Sequence, residues 1–225
     1  MKIFITGIAG FLGSHIADKL IEQGHAVSGC DNLIGGYLEN VPSGADFYQV
    51  DAIYLNQMKK MTKDMDLIIH TACTAYEGLS VFSPYLVGQN TYQISMSVFT
   101  AAASNKIPKV INCSSMARYG EQEVVPFTED LMPMPQDPYG VAKYASEQTL
   151  DIMSQVHDFE YVNLVPHNII GPRQKYDDPY RNVVSIMINR ILNGKPPIIY
   201  GDGLQERCFS DIDDVEICIV LFFVM

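Results

Sequence analysis

The 225-residue sequence predicts an α/β fold in which a doubly wound parallel sheet is followed by a small, incomplete second lobe. Short apolar runs alternate with longer amphipathic stretches, as in successive βα units. The apolar runs are continuous, as expected for strands that are buried on both faces. Gly and Pro become frequent after residue 165. We therefore expect a first domain over residues 1–165 and a partial lobe over 166–225.

The expected elements of the first domain are six strands and four helices. Each strand is a short β-branched or apolar run, and each helix is a longer amphipathic stretch. The strands are 2–6, 26–30, 46–50, 67–71, 109–113 and 161–165. The helices are 11–23, 54–61, 85–104 and 139–156. In the second lobe only 183–192 and 198–200 are periodic, because Gly and Pro punctuate the rest.

The charge balance narrows the range of partners. The chain carries 15 Lys and Arg against 26 Asp and Glu, a formal net charge of −11. Such a field repels phosphate backbones and anionic membranes at long range, so nucleic acids and membranes are not expected partners. A locally positive pocket can still bind an anionic small molecule.

Cysteine usage and apolar runs bear on the compartment. The five cysteines are odd in number and include no C-x-x-C pair, so neither disulfides nor a metal site is predicted. The apolar run 217–225 is less than half of the roughly 20 residues of a spanning helix. The apolar N-terminus, 2–13, is broken by three glycines and is typical of a strand and turn, not of a signal peptide. We expect a cytoplasmic protein.

Three glycines lie between the first strand and the first helix. Gly7, Gly10 and Gly13 form the pattern G-x-x-G-x-x-G. The first permits a tight turn, the second lets the backbone approach a pyrophosphate, and the third lets the helix pack closely on the strand. The helix N-terminus then favours the negative charge of the phosphates. The alternative is an ordinary strand-to-helix turn.

An acidic residue ends the second expected strand. Asp31 lies 18 residues after Gly13, close to the roughly 20 expected for a ribose-binding acid. Its carboxylate would accept hydrogen bonds from both ribose hydroxyls and repel a 2′-phosphate, which favours NAD over NADP. Asp51, at the end of the next strand, has two interpretations. It contacts the adenine amino group, or it is the N-cap of the helix 54–61.

Serine, tyrosine and lysine side chains are expected to converge at one edge of the sheet. Tyr139 and Lys143 share a helix face, and Ser114 and Ser115 end the fifth strand, where open α/β folds bind ligands. Lowering a tyrosine pKa from about 10 to about 7 needs roughly 4 kcal/mol. Lys143 and the oxidised nicotinamide ring would favour the phenolate, and Ser115 could hydrogen-bond the reacting hydroxyl. This predicts oxidation of an alcohol with hydride transfer to NAD. Alternatively, the serines form a turn, and Tyr139 merely follows Pro138 at a helix start.

Together these motifs resemble the extended short-chain dehydrogenase/reductase family, in particular its nucleotide-sugar epimerase and dehydratase branch. The resemblance covers nearly the whole chain. It rests on TGIAGFLGSH (6–15), DNL (31–33), IIHTAC (68–73), CSSMARYG (113–120), PYGVAK (138–143), HNIIGPRQ (167–174) and GDGLQERCFSDIDDV (201–215). It implies an NAD(P)-binding Rossmann-like fold, NAD as the cofactor and a nucleotide-sugar substrate.

The resemblance also implies the residues of the site. The cofactor-binding residues would be Gly7, Gly10, Phe11, Leu12, Gly13, Asp31, Asn32, Asp51, Ala52, Ala72, Asn90, Tyr139, Lys143 and Pro166. The substrate-binding residues would be Glu77, Gly78, Ser115, Met116, Tyr139, Asn168, Asn182, Tyr200 and Arg207. The catalytic residues would be Ser115, Tyr139 and Lys143.

Within the substrate set, the resemblance places Glu77 and Gly78 in the loop that faces the hexose. Asn168 and Asn182 would contact the diphosphate region, and Tyr200 would lie near the base. Arg207 would bind a phosphate as a charge-assisted donor. It is alternatively a solvated surface arginine.

One position separates the reactions of this branch. Its 4,6-dehydratases need an acid pair just after the catalytic hydroxyl residue, and its decarboxylases usually keep a glutamate there. Met116 and Ala117 occupy that place and cannot transfer a proton. The resemblance therefore implies epimerisation at C4 of a UDP-hexose or UDP-N-acetylhexosamine through a 4-keto intermediate. The alternatives are a nucleotide-sugar dehydratase, a net reductase or dehydrogenase, and a catalytically idle NAD-binding fragment or partner subunit.

The C-terminal part departs from the family pattern. Cys208 follows Arg207 where Asp is usual, and relatives continue beyond the apolar end, so the chain resembles a truncated member. That apolar end needs a surface on which to dock. Relatives commonly form dimers through two long helices, here 85–104 and 139–156. Met96, Phe99, Tyr144 and Met153 would line such a homodimer seam or form ordinary core contacts.

Overall fold

The computed structural model describes residues 1–177, 180 and 182–221. Its first 164 residues contain six strands: β1 (Lys2–Thr6), β2 (Ala26–Asp31), β3 (Asp46–Gln49), β4 (Leu67–His70), β5 (Lys109–Cys113) and β6 (Glu160–Leu164). All neighbouring strands pair in parallel, in the order β3-β2-β1-β4-β5-β6. This is the strand order of a doubly wound Rossmann-like sheet, so the predicted fold class is confirmed.

Helices connect these strands and cover both faces of the sheet. They are α1 (Phe11–Glu22), α2 (Leu55–Met61), α3 (Glu77–Ser80), α4 (Pro84–Gly88), α5 (Ile94–Asn105) and α6 (Pro138–His157). A π-helical turn, Gln89–Gln93, joins α4 to α5, so the expected helix 85–104 is continuous but wider in its middle. The four-residue helix α3 was not predicted.

Alternate residues of each central strand enter two different hydrophobic cores. Ile3 and Ile5 of β1 pack in a core with Ile16 and Leu20 of α1. Phe4, between them, packs in the core on the other face, which includes residues of α2, α5 and α6. These three strand side chains have no exposed surface. Burial on both faces explains why the strands read as continuous apolar runs.

A buried histidine ties two strands to a helix. His70 at the end of β4 is hydrogen-bonded through Nδ1 to Thr6 Oγ1 (2.7 Å) and through Nε2 to Ser95 Oγ (3.0 Å). Ser95 donates its own proton to the carbonyl of Thr91, so it accepts from His70, and Thr6 in turn donates to Nδ1. Burial, and secondly the charge of Lys143, lower the pKa of His70 from 6.5 to about 3. The ring is therefore neutral at physiological pH.

Among the described residues after 164, the structure has two short strands and two helices: β7 (Ile169–Ile170), α7 (Val183–Leu192), β8 (Ser210–Asp211) and α8 (Ile212–Leu221). The expected periodic piece 183–192 forms α7 over the same residues, whereas 198–200 has no regular structure. The strands β7 and β8 pair in parallel. The division at residue 165 stays a prediction.

The last helix returns to the first domain. Helix α8 packs on α1, and Ile219 is buried in the same core as Ile16. Glu216 lies 3.6 Å from Lys19 Nζ and 3.9 Å from His15 Nδ1. This surface docks part of the apolar run 217–225; residues 222–225 lie outside the described residues. Among the residues that the structure describes, no helix has the length and apolar content needed to span a bilayer.

The four side chains suggested for a dimer seam form contacts within the chain. Phe99 is fully buried, and Met96 and Met153 pack against the same core. Tyr144 lies beneath the guanidinium of Arg118, 5.4 Å from the ring centre. The interpretation as ordinary core contacts therefore holds for Phe99, Met96 and Met153.

Candidate active site

The candidate site lies where the strand order reverses, at the carboxyl ends of β1 and β4. Loops that follow neighbouring strands leave in opposite directions at this point, which opens a crevice. A cavity of about 240 Å³ occupies it, and all fourteen of the expected cofactor-binding residues line its wall. The sequence therefore identified residues that the fold brings together, although their individual contacts with a cofactor stay predictions.

The glycine turn forms one wall of this cavity. Gly7 has a φ of +76°, and its amide donates to the carbonyl of Cys30 at 2.7 Å. Gly10 is the N-cap of α1, and its amide donates to the Gly7 carbonyl at 2.9 Å. A Cβ at Gly13 would lie only 2.2 Å from that carbonyl oxygen. A helix N-terminus thus opens directly on the cavity, with the geometry that suits a pyrophosphate.

Asp31 is held at the end of β2 by backbone amides. Its Oδ1 accepts from the amide of Leu33 at 2.7 Å, and its Oδ2 accepts from that of Ala9 at 3.1 Å. Burial raises the pKa of Asp31, while the hydrogen bonds from Leu33 and Ala9 oppose this effect. Each oxygen keeps a further lone pair, so the carboxylate can still accept hydrogen bonds from a ribose.

Asp51 does not cap α2. The N-cap residue of this helix is Tyr54, whose side chain makes no capping hydrogen bond. Asp51 instead accepts from the Ile53 amide at 2.9 Å and from Asn32 Nδ2 at 2.8 Å. The N-cap interpretation is therefore wrong, because the helix begins one turn later than Asp51 would require. Asp51 lines the cavity, as the adenine interpretation needs.

Ser115, Tyr139 and Lys143 lie where two cavities meet, because Tyr139 lines both, Lys143 lines the first and Ser115 lines the second. Ser115 follows β5 and begins a short 3₁₀ turn, Met116–Arg118, with its Oγ accepting from the Ala117 amide at 3.2 Å. Tyr139 is the second residue of α6, which starts at Pro138. Lys143 lies one turn later; its Nζ donates to the Cys113 carbonyl at 2.6 Å and lies 5.8 Å from the centre of the Tyr139 ring.

The protein by itself does not lower the pKa of Tyr139. Burial raises this pKa well above 10, followed by the effect of Cys73, and the hydrogen bond with Ser115 acts in the opposite direction. Desolvation of the 5% exposed phenol is the largest effect on this pKa, so the expectation that Lys143 and the oxidised nicotinamide ring together favour the phenolate stays a prediction. The burial of the Tyr139 side chain depends on the tertiary fold and could not be predicted from the neighbouring residues in the sequence.

A second, wider cavity of about 790 Å³ shares Tyr139 with the first. Seven of the nine expected substrate-binding residues line it: Glu77, Gly78, Ser115, Tyr139, Asn168, Asn182 and Tyr200. Asn182 also caps α7, where its Oδ1 accepts from the Val184 amide at 3.0 Å. Asn168 Nδ2 donates to the Cys208 carbonyl at 3.2 Å.

Met116 and Arg207 are not among the residues that line this cavity in the described part of the chain. Met116 lies in the 3₁₀ turn, behind Ser115. Arg207 is exposed and donates to the neighbouring carbonyl of Glu206, as the surface-arginine interpretation predicts. Burial raises the pKa of Glu77 and the charge of Arg207 opposes this effect, whereas burial lowers the pKa of His167 and Arg207 lowers it further, so Arg207 lies within electrostatic range of both residues.

Sequence reasoning missed several residues that line these cavities. Cys73 and Gln174 were included in the quoted motifs but were given no role. Tyr180 and Arg190 line the wider cavity. Neither belongs to a motif, and they reach the cavity only because the second part of the chain folds over the sheet edge.

The fold and this site define a dinucleotide-binding protein with a Ser, Tyr and Lys constellation. The chain belongs to the NAD dependent epimerase/dehydratase family, whose model matches residues 3–224. The predicted family and the predicted cofactor, NAD, are thereby confirmed. The geometry of the site is consistent with NAD, since the glycine turn and Asp31 line the cavity in the arrangement that a dinucleotide requires.

Known members of this family cover most of the chain. The UDP-glucose 4-epimerase of Mycolicibacterium smegmatis is 30% identical over 224 residues, 96% of this chain and 71% of that protein. The structure of a UDP-glucose 4-epimerase of Thermotoga maritima with UDP-glucose aligns with a TM-score of 0.94, at 33% identity, over 99% of this chain and 73% of that one. A UDP-N-acetylglucosamine 4-epimerase of Methanobrevibacter ruminantium, in complex with UDP-N-acetylmuramic acid, gives 0.91 at 35% identity, covering 98% and 72%.

Proposed function

We propose that this protein catalyses NAD-dependent epimerisation at C4 of a UDP-hexose or UDP-N-acetylhexosamine. The observation that carries the proposal is that Ser115 and Tyr139 line the wide cavity while Tyr139 and Lys143 line the dinucleotide cavity. Tyr139 is therefore shared by both compartments. A sugar hydroxyl that reaches Tyr139 lies at the boundary of the cofactor compartment.

The residues of the site supply proton transfer. Once ionised, Tyr139 accepts the proton of the 4-hydroxyl as the C4–H bond breaks, and Ser115, which lines the same cavity, can hydrogen-bond the reacting oxygen. The phenolate that this step needs would be favoured by Lys143 and by the positive charge of bound NAD, against the effect of burial on the pKa of Tyr139. NAD, held by the cavity that the glycine turn and Asp31 line, would supply the acceptor for the C4 hydride and the donor that returns it to the opposite face of the ketone. Tyr139 then gives the proton back to the oxygen, so that no net oxidation occurs.

The residues after Ser115 argue against elimination of water. Met116 and Ala117 form the 3₁₀ turn and carry no acid that could protonate a leaving hydroxyl. Of the two residues expected to face the hexose, Glu77 and Gly78, only Glu77 has a carboxylate, and it lines the wide cavity. Glu77 is therefore the best candidate for the acid that a dehydratase would need. Analysis of the product distinguishes epimerisation from elimination of water.

A neutral sugar fits the charge of this cavity better than a hexuronate. Burial raises the pKa of Glu77, and the nearby carboxylate of Asp137 raises it further. The carboxyl groups of Glu77 and Asp137 therefore interact electrostatically close to the expected hexose position. A second carboxylate on the sugar would be repelled.

The direct test is incubation of the purified, NAD-loaded protein with UDP-glucose, UDP-galactose and their N-acetyl forms. NMR reads the configuration at C4. Interconversion of one pair, its loss in Tyr139→Phe and its retention in Tyr54→Phe, at an exposed tyrosine outside the described cavity walls, support the proposal. A 4-keto-6-deoxy product would indicate a dehydratase, and accumulation of NADH would indicate net oxidation. NAD binding without UDP-sugar binding would indicate an idle subunit.

We further propose a homodimer in the cytoplasm. Exposed apolar side chains follow the outer faces of α4, the π-helical turn and α6: Tyr85, Leu86, Tyr92, Val141, Ile152 and Val156. The five cysteines are free thiols, which fits a reducing compartment. Analytical ultracentrifugation tests the assembly: Ile152→Glu should give monomers, and an unchanged mass would contradict a seam on α6.

A further inference from the structure

A buried carboxylate holds both ends of the loop that carries Ser115. Glu147 lies on α6, one turn after Lys143, and is 5% exposed. The hydroxyl of Ser114 donates to its Oε1, and Arg118 Nη1 lies 2.5 Å from its Oε2. Ser115 lies between these two anchors, so the loop 114–118 is tied at its beginning and at its end to one side chain.

Arg118 is itself fixed by packing. Its guanidinium lies 4.9 Å from the ring centre of Tyr119 and 5.4 Å from that of Tyr144. Only 15% of the Arg118 side chain and 6% of the Glu147 side chain are exposed. Within the described residues, Arg118 Nε has no hydrogen-bond partner. The ion pair is therefore desolvated, with one donor left unsatisfied.

Such a pair is not explained by stability alone. Desolvation of two charges commonly offsets their attraction, so apolar side chains of similar size would serve a core equally well. Glu147 and Arg118 are absent from the described residues that line the two cavities. Neither is therefore placed to touch cofactor or substrate, and any effect on the chemistry passes through another residue.

The hydrogen bonds indicate which residue that is. Lys143 donates a hydrogen bond to the Cys113 carbonyl, and the hydroxyl of the next residue, Ser114, donates to Glu147. Glu147 lies one turn after Lys143 on α6. At the other end, the Arg118 amide donates to the Ser115 carbonyl at 3.1 Å. Displacement of Arg118 would therefore release the 3₁₀ turn that Ser115 begins, while α6 keeps Tyr139 and Lys143 in place.

We propose that Arg118 and Glu147 are positioning residues that hold Ser115 against Tyr139. This inference rests on the proposed function, since Ser115 has a catalytic role only there. We expect Arg118→Leu to lower kcat by about 10- to 100-fold and to change the KM for the UDP-sugar by less than about threefold. Arg118→Lys keeps the charge and should recover part of kcat. Glu147→Gln should resemble Arg118→Leu.

The decisive measurement is a double-variant cycle with Ser115→Ala. If Arg118 acts through Ser115, Arg118→Leu has no further effect on kcat once Ser115 has lost its hydroxyl. A purely structural role would multiply the two losses, and that outcome would overturn the proposal. The control is Glu160→Gln, because this carboxylate pairs with Lys109 at 3.6 Å on the protein surface and should leave kcat unchanged.

Amide hydrogen exchange provides a readout that does not need turnover. In Arg118→Leu the amide of Ala117, which donates to Ser115 Oγ, should exchange at least about tenfold faster, with α6 still protected. Unchanged protection in 114–118 would contradict the proposal even in an inactive protein. Faster exchange in a protein that epimerises no sugar would instead count against the proposed function alone.

Discussion

Gly13 faces the carbonyl oxygen of Gly7 so closely that a Cβ on residue 13 would lie 2.2 Å from this oxygen. Gly13→Ala must therefore displace the turn that begins α1. We expect a loss of about 1–3 kcal/mol in the free energy of unfolding and loss of measurable NAD binding. Urea denaturation and calorimetry measure the two effects.

The matched control for this change is Gly88→Ala. In the described structure a Cβ there would have no other heavy atom within 4 Å, and the backbone of Gly88 is helical, with φ −63°. This variant should be unchanged or more stable by about 0.5–1 kcal/mol. Retained NAD binding in Gly13→Ala would show that the turn does not hold the pyrophosphate.

Asp31→Asn tests the choice of cofactor. The change removes the charge with little change in volume, so repulsion of a 2′-phosphate should fall while one oxygen still accepts hydrogen bonds. We expect the ratio of NADP to NAD affinity to rise by roughly 10-fold or more, corresponding to about 1.4 kcal/mol. Calorimetric titration with both dinucleotides measures it. Asp46→Asn, at the exposed start of β3, is the control, and an unaltered ratio would remove Asp31 from the ribose site.

Glu77→Gln tests the preference for a neutral sugar. Without this carboxylate the repulsion of a hexuronate weakens, and at roughly 4 Å an exposed charge pair is worth about 1–4 kcal/mol. The ratio of kcat/KM for UDP-glucuronate to that for UDP-glucose should rise by about tenfold or more. Glu121→Gln, at an exposed position outside the described cavity walls, should leave the ratio as it is. Equal ratios in all three proteins would place the sugar away from Glu77.

His70→Gln tests the buried tie between β1, β4 and α5. The pKa of His70 is about 3 in the folded protein and 6.5 without burial, so only the unfolded chain gains the proton between these values. Its stabilising contribution is complete above pH 6.5 and falls by about 1.4 kcal/mol per pH unit as the pH drops towards 3. The difference in free energy of unfolding between the wild type and His70→Gln should shrink accordingly from pH 7 to pH 4.5. A constant difference would mean that His70 keeps its proton affinity on folding.

The parts of the site that are contiguous in sequence could be predicted well. The glycine turn and Asp31 belong to one β1-α1-β2 unit, whose short connections fix their relative positions. The meeting of Ser115 with Tyr139 and Lys143 also follows from a general rule. The carboxyl ends of parallel strands and the beginnings of the helices that follow them share one edge of a sheet.

The parts that depend on approach between distant segments could not be predicted. Arg118 lies within one of the quoted motifs and Glu147 lies shortly after another. Only the packing of the 3₁₀ turn against α6 brings the two side chains together as an ion pair. The sequence left open whether Phe99 lies in the core or in a dimer seam, because α5 is apolar on several sides. Only the elements that pack against α5 decide which of its sides is buried. The raised pKa of Tyr139 likewise depends on desolvation, which the whole fold determines.

The return of α8 to α1 brings the end of the described chain back onto the first domain. After β6 the chain leaves the sheet, and α8 later packs on α1, the helix that begins at the glycine turn. The segment between β6 and α8 is therefore attached to the first domain at both of its ends. Because Ile219 of α8 is buried in the same core as Ile16 of α1, we expect the amides of α8 to exchange with solvent only when the core of the first domain opens as well.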